Sequence, residues 1–241
     1  MDYALPMQFN APLSNQRADR LVELLALSPD DAVVEIGCGR GVLLQKVVKR
    51  WGCQALGVDI DAAVIETARQ AAAAKGLAIT FRCADAKLLP LKPVSLAICI
   101  GATHAYGQGE RAWHNALTVL SRLVRPGGQI LIADGFWARD PDPEYLEFLG
   151  EEPGIDKTNA ENIATAKALG LTPLYAARSS PDEWDHFEWS HTLAAERAAL
   201  ANPSEATAQQ RQHRRRWQAA YERWGRGTMG FGFYLLGVPP H

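Results

Sequence analysis

The 241-residue chain is 47% hydrophobic and carries a net charge of −2. That length fits one α/β domain with additions, and so small a charge gives no broad positive field to recruit nucleic acid or anionic lipid. The opening "MDYALPMQFNAPLS" lacks the basic and apolar regions of a secretory signal, and no apolar run approaches the roughly 18–20 residues of a membrane helix. A cytoplasmic protein with no membrane partner is expected.

In chain order, "SNQRADRLVELLAL" predicts an opening helix capped by Ser14, with Leu21, Leu24 and Leu25 on one face. "DAVVEIG" reads as a short buried strand, "GVLLQKVVKR" as a helix and "CQALGVDI" as a second strand. "DAAVIETARQAAAAKG" predicts a helix capped by Asp61 and stopped by Gly76. "LAITFRCAD" and "VSLAICIG" read as the third and fourth strands. "ERAWHNALTVLSRLVRPGG" predicts a helix ended by the Pro-Gly-Gly turn, which leads into a fifth strand, "QILIAD". Such alternation predicts a parallel sheet covered on both faces. Cys38, Cys53, Cys83 and Cys99 are scattered through these elements without a C-x-x-C pair, so they are expected as buried, reduced side chains. No metal site is expected.

After Asp134 the rhythm changes. Residues 140–156 carry seven acidic side chains, three prolines and no basic residue, which predicts an exposed acidic insertion above the sheet. A helix is expected from Asn159 to Gly170, then a strand, "LTPLYAARS", two helical stretches near 181–201 and 204–223, and a last strand, "TMGFGFYLLGV". In "RQHRRRWQAAYERW" the aromatics Trp217, Tyr221 and Trp224 recur at helical spacing while the arginines spread around the axis. This is a core stripe with a solvated face rather than a nucleic-acid surface.

The stretch "VVEIGCGRGVLL", residues 33–44, sets a glycine turn between a buried strand and a helix start. That arrangement bares backbone N–H groups at a helix N-terminus, in the crevice at the carboxyl ends of a parallel sheet. A dinucleotide site wants G-x-G-x-x-G, and the position that would complete it is Val42. Asp59 ends the second strand, where a carboxylate can accept both ribose hydroxyls. Asp85 ends the third, where one can take an adenine amine, and Glu35 precedes the glycines. Three acids in one crevice oppose a pyrophosphate and suit a ligand with an amino acid and a sulfonium.

With those residues in place, "VVEIGCGRG", "GVDID", "CADAKLLPL", "SLAICIGATHAYG" and "LVRPGGQILIAD" resemble, in order, the motifs of class I S-adenosylmethionine-dependent methyltransferases across residues 31–134. The resemblance is strongest to the small-molecule branch related to ubiquinone- and menaquinone-biosynthesis methyltransferases. It implies a Rossmann-like seven-stranded sheet, mostly parallel with an antiparallel last strand, helices on both faces, and a helical cap inserted after strands 5 and 6. One domain over 1–241 follows, with a helical lid over 1–30, a cofactor-binding core over 31–135, and the insertion, cap and final strands over 136–241. The cofactor implied is S-adenosyl-L-methionine, with S-adenosyl-L-homocysteine as product. Gly37, Cys38 and Gly39 would line its methionine end, with Gly41 packing the turn. Asp59 would hold the ribose and Ile60 would pack on the adenine. Asp85 would bond the adenine amine beside the Ala86 amide, and Ile100 would offer its carbonyl to the ammonium.

The acceptor implied is a small organic molecule. His104 and Tyr106, after the fourth strand, are the catalytic candidates: His104 as general base or orienter, or else bonded to the loop backbone; Tyr106 near the transfer axis, or else a pocket wall. In "SPDEWDHFEWSH", Trp184, His186 or Trp189 would close over the acceptor, or the aromatics would pack a cap. "MQFNAPLS" is expected to cover the cofactor. Two other readings of the glycine turn are a non-catalytic module that senses the methyl donor or its product, and a nucleotide-dependent oxidoreductase.

Overall fold

Alternating apolar side chains split each central strand between two cores, and this builds the fold. The computed structural model describes residues 8–151 and 158–240. Helix α1 (Asn15–Glu23), capped by the Ser14 side chain, precedes β1 (Ala32–Ile36), α2 (Val42–Trp51), β2 (Gln54–Asp59), α3 (Ala62–Ala74) and β3 (Ile79–Cys83). Then come β4 (Val94–Ile100), a 3-10 turn (Thr103–Tyr106), α4 (Glu110–Leu123) and β5 (Val124–Trp137). The remainder is α5 (Pro143–Leu149), α6 (Asn159–Ala168), β6 (Thr172–Arg178), α7 (Pro181–Ala201), α8 (Glu205–Ala220), a π turn (Tyr221–Gly225), one further helical turn (Arg226–Thr228) and β7 (Met229–Gly237).

The seven strands form one sheet in the order β3-β2-β1-β4-β5-β7-β6, with β7 antiparallel to both its neighbours. Val33, Leu96 and Ile98 face the core shared with α1 and α2, while Val34, Ile36, Ala97 and Cys99 face the core shared with α4 and α6. A sheet buried on both faces favours apolar side chains at every step, hence the runs in β1 and β4, interrupted only by Glu35 and Ser95. Among the described residues, no helix is long and apolar enough to cross a membrane.

Three expectations change. The Pro-Gly-Gly turn does not end α4, which stops at Leu123; it forms a bulge inside β5. The ladder jumps from Val94 opposite Val124 to Leu96 opposite Gln129, and the extruded backbone bonds to Val238 through Gly127 N–H at 2.8 Å. Cys83 is exposed at the end of β3, unlike the other three cysteines. The acidic insertion is not wholly exposed: α5 buries Tyr145 and Leu146 against Trp137 and Ala220, with the Tyr145 ring stacked on Trp224 at 5.7 Å. Residues 152–156 of that stretch, and residues 1–7 of the expected lid, lie outside the described residues.

Candidate active site

A cavity of about 360 Å³ opens at the carboxyl ends of β1, β2 and β4. Glu35, Gly37, Cys38, Gly39, Asp59 and Ile100 line it, with Asp61 and Val64 from the start of α3. Its remaining wall is the segment Gln8–Leu13, which runs over the sheet ahead of α1.

Gly37, Gly39 and Gly41 all have left-handed φ, at 66°, 51° and 67°. At Gly37 a Cβ would also lie 2.3 Å from the Ala102 Cβ, so the turn closes against the strand-end loop only with glycine there. Gly41 abuts Phe81, 2.6 Å from where its Cβ would stand, and this lets α2 start close to β3. Asp59 ties the turn to β2: its Oδ2 accepts the Gly39 N–H at 2.8 Å and its Oδ1 accepts the Asp61 N–H at 3.0 Å.

Glu35 is 5% exposed and accepts the Leu44 N–H at 3.2 Å in the first turn of α2. Burial pushes its carboxyl up to about 8, a rise that the Leu44 bond opposes and the nearby Asp59 charge adds to. In the unfolded chain the same group ionises near 4.5. The folded state therefore binds the extra proton between those values, and this group's contribution to stability falls as pH rises from 4.5 to about 8. Glu35→Gln keeps an acceptor for Leu44 and removes that titration. Its melting temperature relative to wild type is expected to rise between pH 5 and pH 9, by on the order of a few kcal/mol of stability. A constant difference across that range would refute the buried, proton-binding carboxyl.

The other sequence-predicted residues are dispersed. Ile60 is 76% exposed at the end of β2. Asp85 turns its Oδ1 onto the Lys87 N–H at 2.9 Å and, like Ala86, does not line the cavity. Cys38 is buried, which pushes its thiol up and leaves it without nucleophilic character. His104 is exposed in the 3-10 turn. Tyr106 is buried in the α4-side core with Ala102 and Trp113.

A second chamber, of about 460 Å³, shares the wall Gln8, Phe9, Ala11 and Leu13 and is bounded beyond it by His186 and Phe187 of α7. Trp184 is buried against Phe187, Tyr221 and Phe231, whereas Trp189 is 48% exposed. The acids beside His186 are committed to arginines: Glu183 to Arg17, Asp185 to Arg226 and Glu188 to Arg214. Among the described residues, no cluster of His, Cys, Asp or Glu is placed to hold a metal ion.

Sequence reasoning missed Asp61 and Val64. It also missed the role of Glu183, whose carboxylate accepts from Ser14 N–H and Oγ, Arg17 Nε and Nη2, and Ser180 N–H. With the Ser179 hydroxyl donating to the Pro12 carbonyl at 2.6 Å, this anchors the Gln8–Leu13 wall to the β6–α7 junction. The Ser180-x-x-Glu183 capping box was visible in the sequence, but its long-range partners were not.

Comparison with known proteins agrees with this geometry. A family model described as a methyltransferase domain matches residues 33–128. The fold is similar to the crystal structure of an S-adenosylmethionine-dependent methyltransferase from Geobacter sulfurreducens in complex with S-adenosyl-L-homocysteine. The two are 25% identical with a TM-score of 0.86, over 95% of this chain and 92% of that one. The uncharacterized protein YjhP of Escherichia coli is 23% identical over 93% of this chain and 92% of its own length. The 27-O-demethylrifamycin SV methyltransferase of Amycolatopsis mediterranei is 26% identical, over 74% of this chain and 66% of that one. Residues 33–128 thus match a methyltransferase domain, and the fold is that of S-adenosylmethionine-dependent methyltransferases, which take S-adenosylmethionine as their methyl donor.

Proposed function

We propose that this methyltransferase moves the methyl group to a small organic acceptor by in-line displacement, with His104 taking the proton the acceptor sheds. The observation that carries the donor site is the cavity formed by the glycine turn, Asp59 and Glu35. Each Asp59 oxygen accepts one backbone N–H and keeps a second lone pair for a ribose hydroxyl. Glu35, buried and, among the described residues, in no ion pair, favours a ligand that brings an ammonium. Gly37, Cys38 and Gly39 present backbone to the methionine portion, and the Ile100 carbonyl serves its ammonium. Asp85, the Ala86 amide and Ile60 would meet the adenine at the rim. The donor supplies an activated methyl on a sulfonium, so the protein chiefly aligns the acceptor.

The chamber beside His186 and Phe187 supports a small acceptor, because a wall only a few residues thick divides it from the donor cavity. The name of the rifamycin relative supports the same class. Asp59→Ala tests the donor site. It should weaken S-adenosylhomocysteine binding by about 1–3 kcal/mol in calorimetry, through loss of a half-buried acceptor and of its hold on Gly39. Unchanged affinity in a folded variant would rule the assignment out.

A further inference from the structure

The lining of the chamber beside α7 selects by shape and by charge. At about 460 Å³ the chamber falls within the usual range for a pocket that takes a small molecule. Phe9, Ala11 and Leu13 of the wall and Phe187 of α7 supply its apolar side. The Phe187 ring is held by near-perpendicular contacts with Trp184 at 6.1 Å and His191 at 4.9 Å, so it is ordered before anything packs on it. His186 is exposed beside it, and an imidazole can both donate and accept a hydrogen bond.

The charges are one-sided. Asp182 and Glu183 line the chamber, and among the described residues no lysine or arginine does. Arg17 balances Glu183. Asp182 is exposed in the first turn of α7 and, among the described residues, forms no ion pair. A carboxylate or phosphate entering here would give up water for an apolar surround and meet Asp182 with no cation to receive it. An uncharged molecule bears neither cost. Gln8, Phe9, Ala11 and Leu13 also line the donor cavity, so a molecule packed on this wall lies next to that cavity.

We infer that the chamber takes an uncharged aromatic acceptor, packed on Phe187 and oriented by a hydrogen bond with His186, and that it rejects carboxylates and phosphates. This rests on the reading of the chamber as the acceptor site. Phe9 and Phe187 suit the ring of such a molecule, and His186 suits one hydroxyl or carbonyl group on it.

The test is a titration of the wild-type chain, with and without saturating S-adenosylhomocysteine, by 2-naphthol, 2-naphthoate and naphthalene, read by ligand-observed NMR. 2-Naphthol should bind about tenfold or more tightly than 2-naphthoate, because the anion finds no cation. Phe187→Ala should weaken 2-naphthol about fivefold, the worth of one aromatic contact. His186→Ala should bring 2-naphthol down to the affinity of naphthalene, a ratio that loss of a merely structural side chain would not move. Asp182→Lys, at an exposed position, should strengthen 2-naphthoate and leave naphthalene unchanged. The proposal is overturned by 2-naphthoate binding as tightly as 2-naphthol, by no uptake of 2-naphthol in the folded chain, or by an affinity indifferent to both Phe187→Ala and His186→Ala. Displacement of S-adenosylhomocysteine by 2-naphthol would place the latter in the donor cavity and overturn it too. A chain that binds 2-naphthol with this selectivity but takes up no S-adenosylhomocysteine would instead contradict the donor-site reading and leave the chamber's selectivity standing.

Discussion

Gly37→Ala is expected to cost about 3 kcal/mol or more of stability and to reduce S-adenosylhomocysteine affinity at least tenfold. Two penalties combine. An alanine at φ 66° pays about 1–2 kcal/mol for the left-handed backbone. Its Cβ would also stand 2.3 Å from that of Ala102, so the strand-end loop must shift. That loop follows Ile100, and Gly37 and Ile100 both line the candidate donor cavity. Thermal unfolding and calorimetry on one preparation check both effects. Gly39→Ala is the informative comparison, because its Cβ would meet no protein atom within 4 Å and only the backbone penalty applies. Equal stability losses at the two positions would contradict the contact with Ala102.

Glu183→Ala carries the second large effect. The wild-type carboxylate is 8% exposed and receives donors from Ser14, Arg17 and Ser180. Burial alone would raise its pKa, but the bonds from Arg17 and Ser14 hold it down to about 2. A depressed carboxyl contributes stability above its unfolded value of 4.5 and loses that contribution as pH falls toward 2. Removing it strands the Arg17 guanidinium, 19% exposed, against an apolar surround, which costs about 3–5 kcal/mol for a buried pair. Arg215 and Glu196 form an exposed pair, so Glu196→Ala should leave stability nearly unchanged. Because Glu183 anchors the Gln8–Leu13 wall, Glu183→Ala should also weaken product binding. A variant that loses stability but binds S-adenosylhomocysteine as wild type does would show that the wall is dispensable for the donor.

Local features explain what was legible in the sequence. The glycine turn, the acids at the ends of β1, β2 and β3, and the caps at Ser14 and Asp61 act within a few residues of themselves, so their pattern survives without coordinates. The strand runs were equally readable, because a sheet buried on both faces leaves little room for polar interruption. Long-range geometry was not readable. The Pro-Gly-Gly bulge depends on bonds to Val238, more than a hundred residues away. Tyr106 sits beside His104 in sequence, yet the 3-10 turn sends it into the α4-side core while His104 is exposed. Asp134 closes the predicted fifth strand in plain view, but the bond it accepts from Thr103 has no mark in the sequence. Glu183 closes a capping box with Ser180 and is also the clamp on a segment 169 residues earlier, a partner that no local pattern marks.

The most direct test of the donor cavity is a calorimetric titration of S-adenosylhomocysteine into the wild-type chain, since the product binds without an acceptor. One site per chain with micromolar affinity, weakened by Asp59→Ala, is the result this account predicts. A folded wild-type protein that takes up no S-adenosylhomocysteine would contradict it.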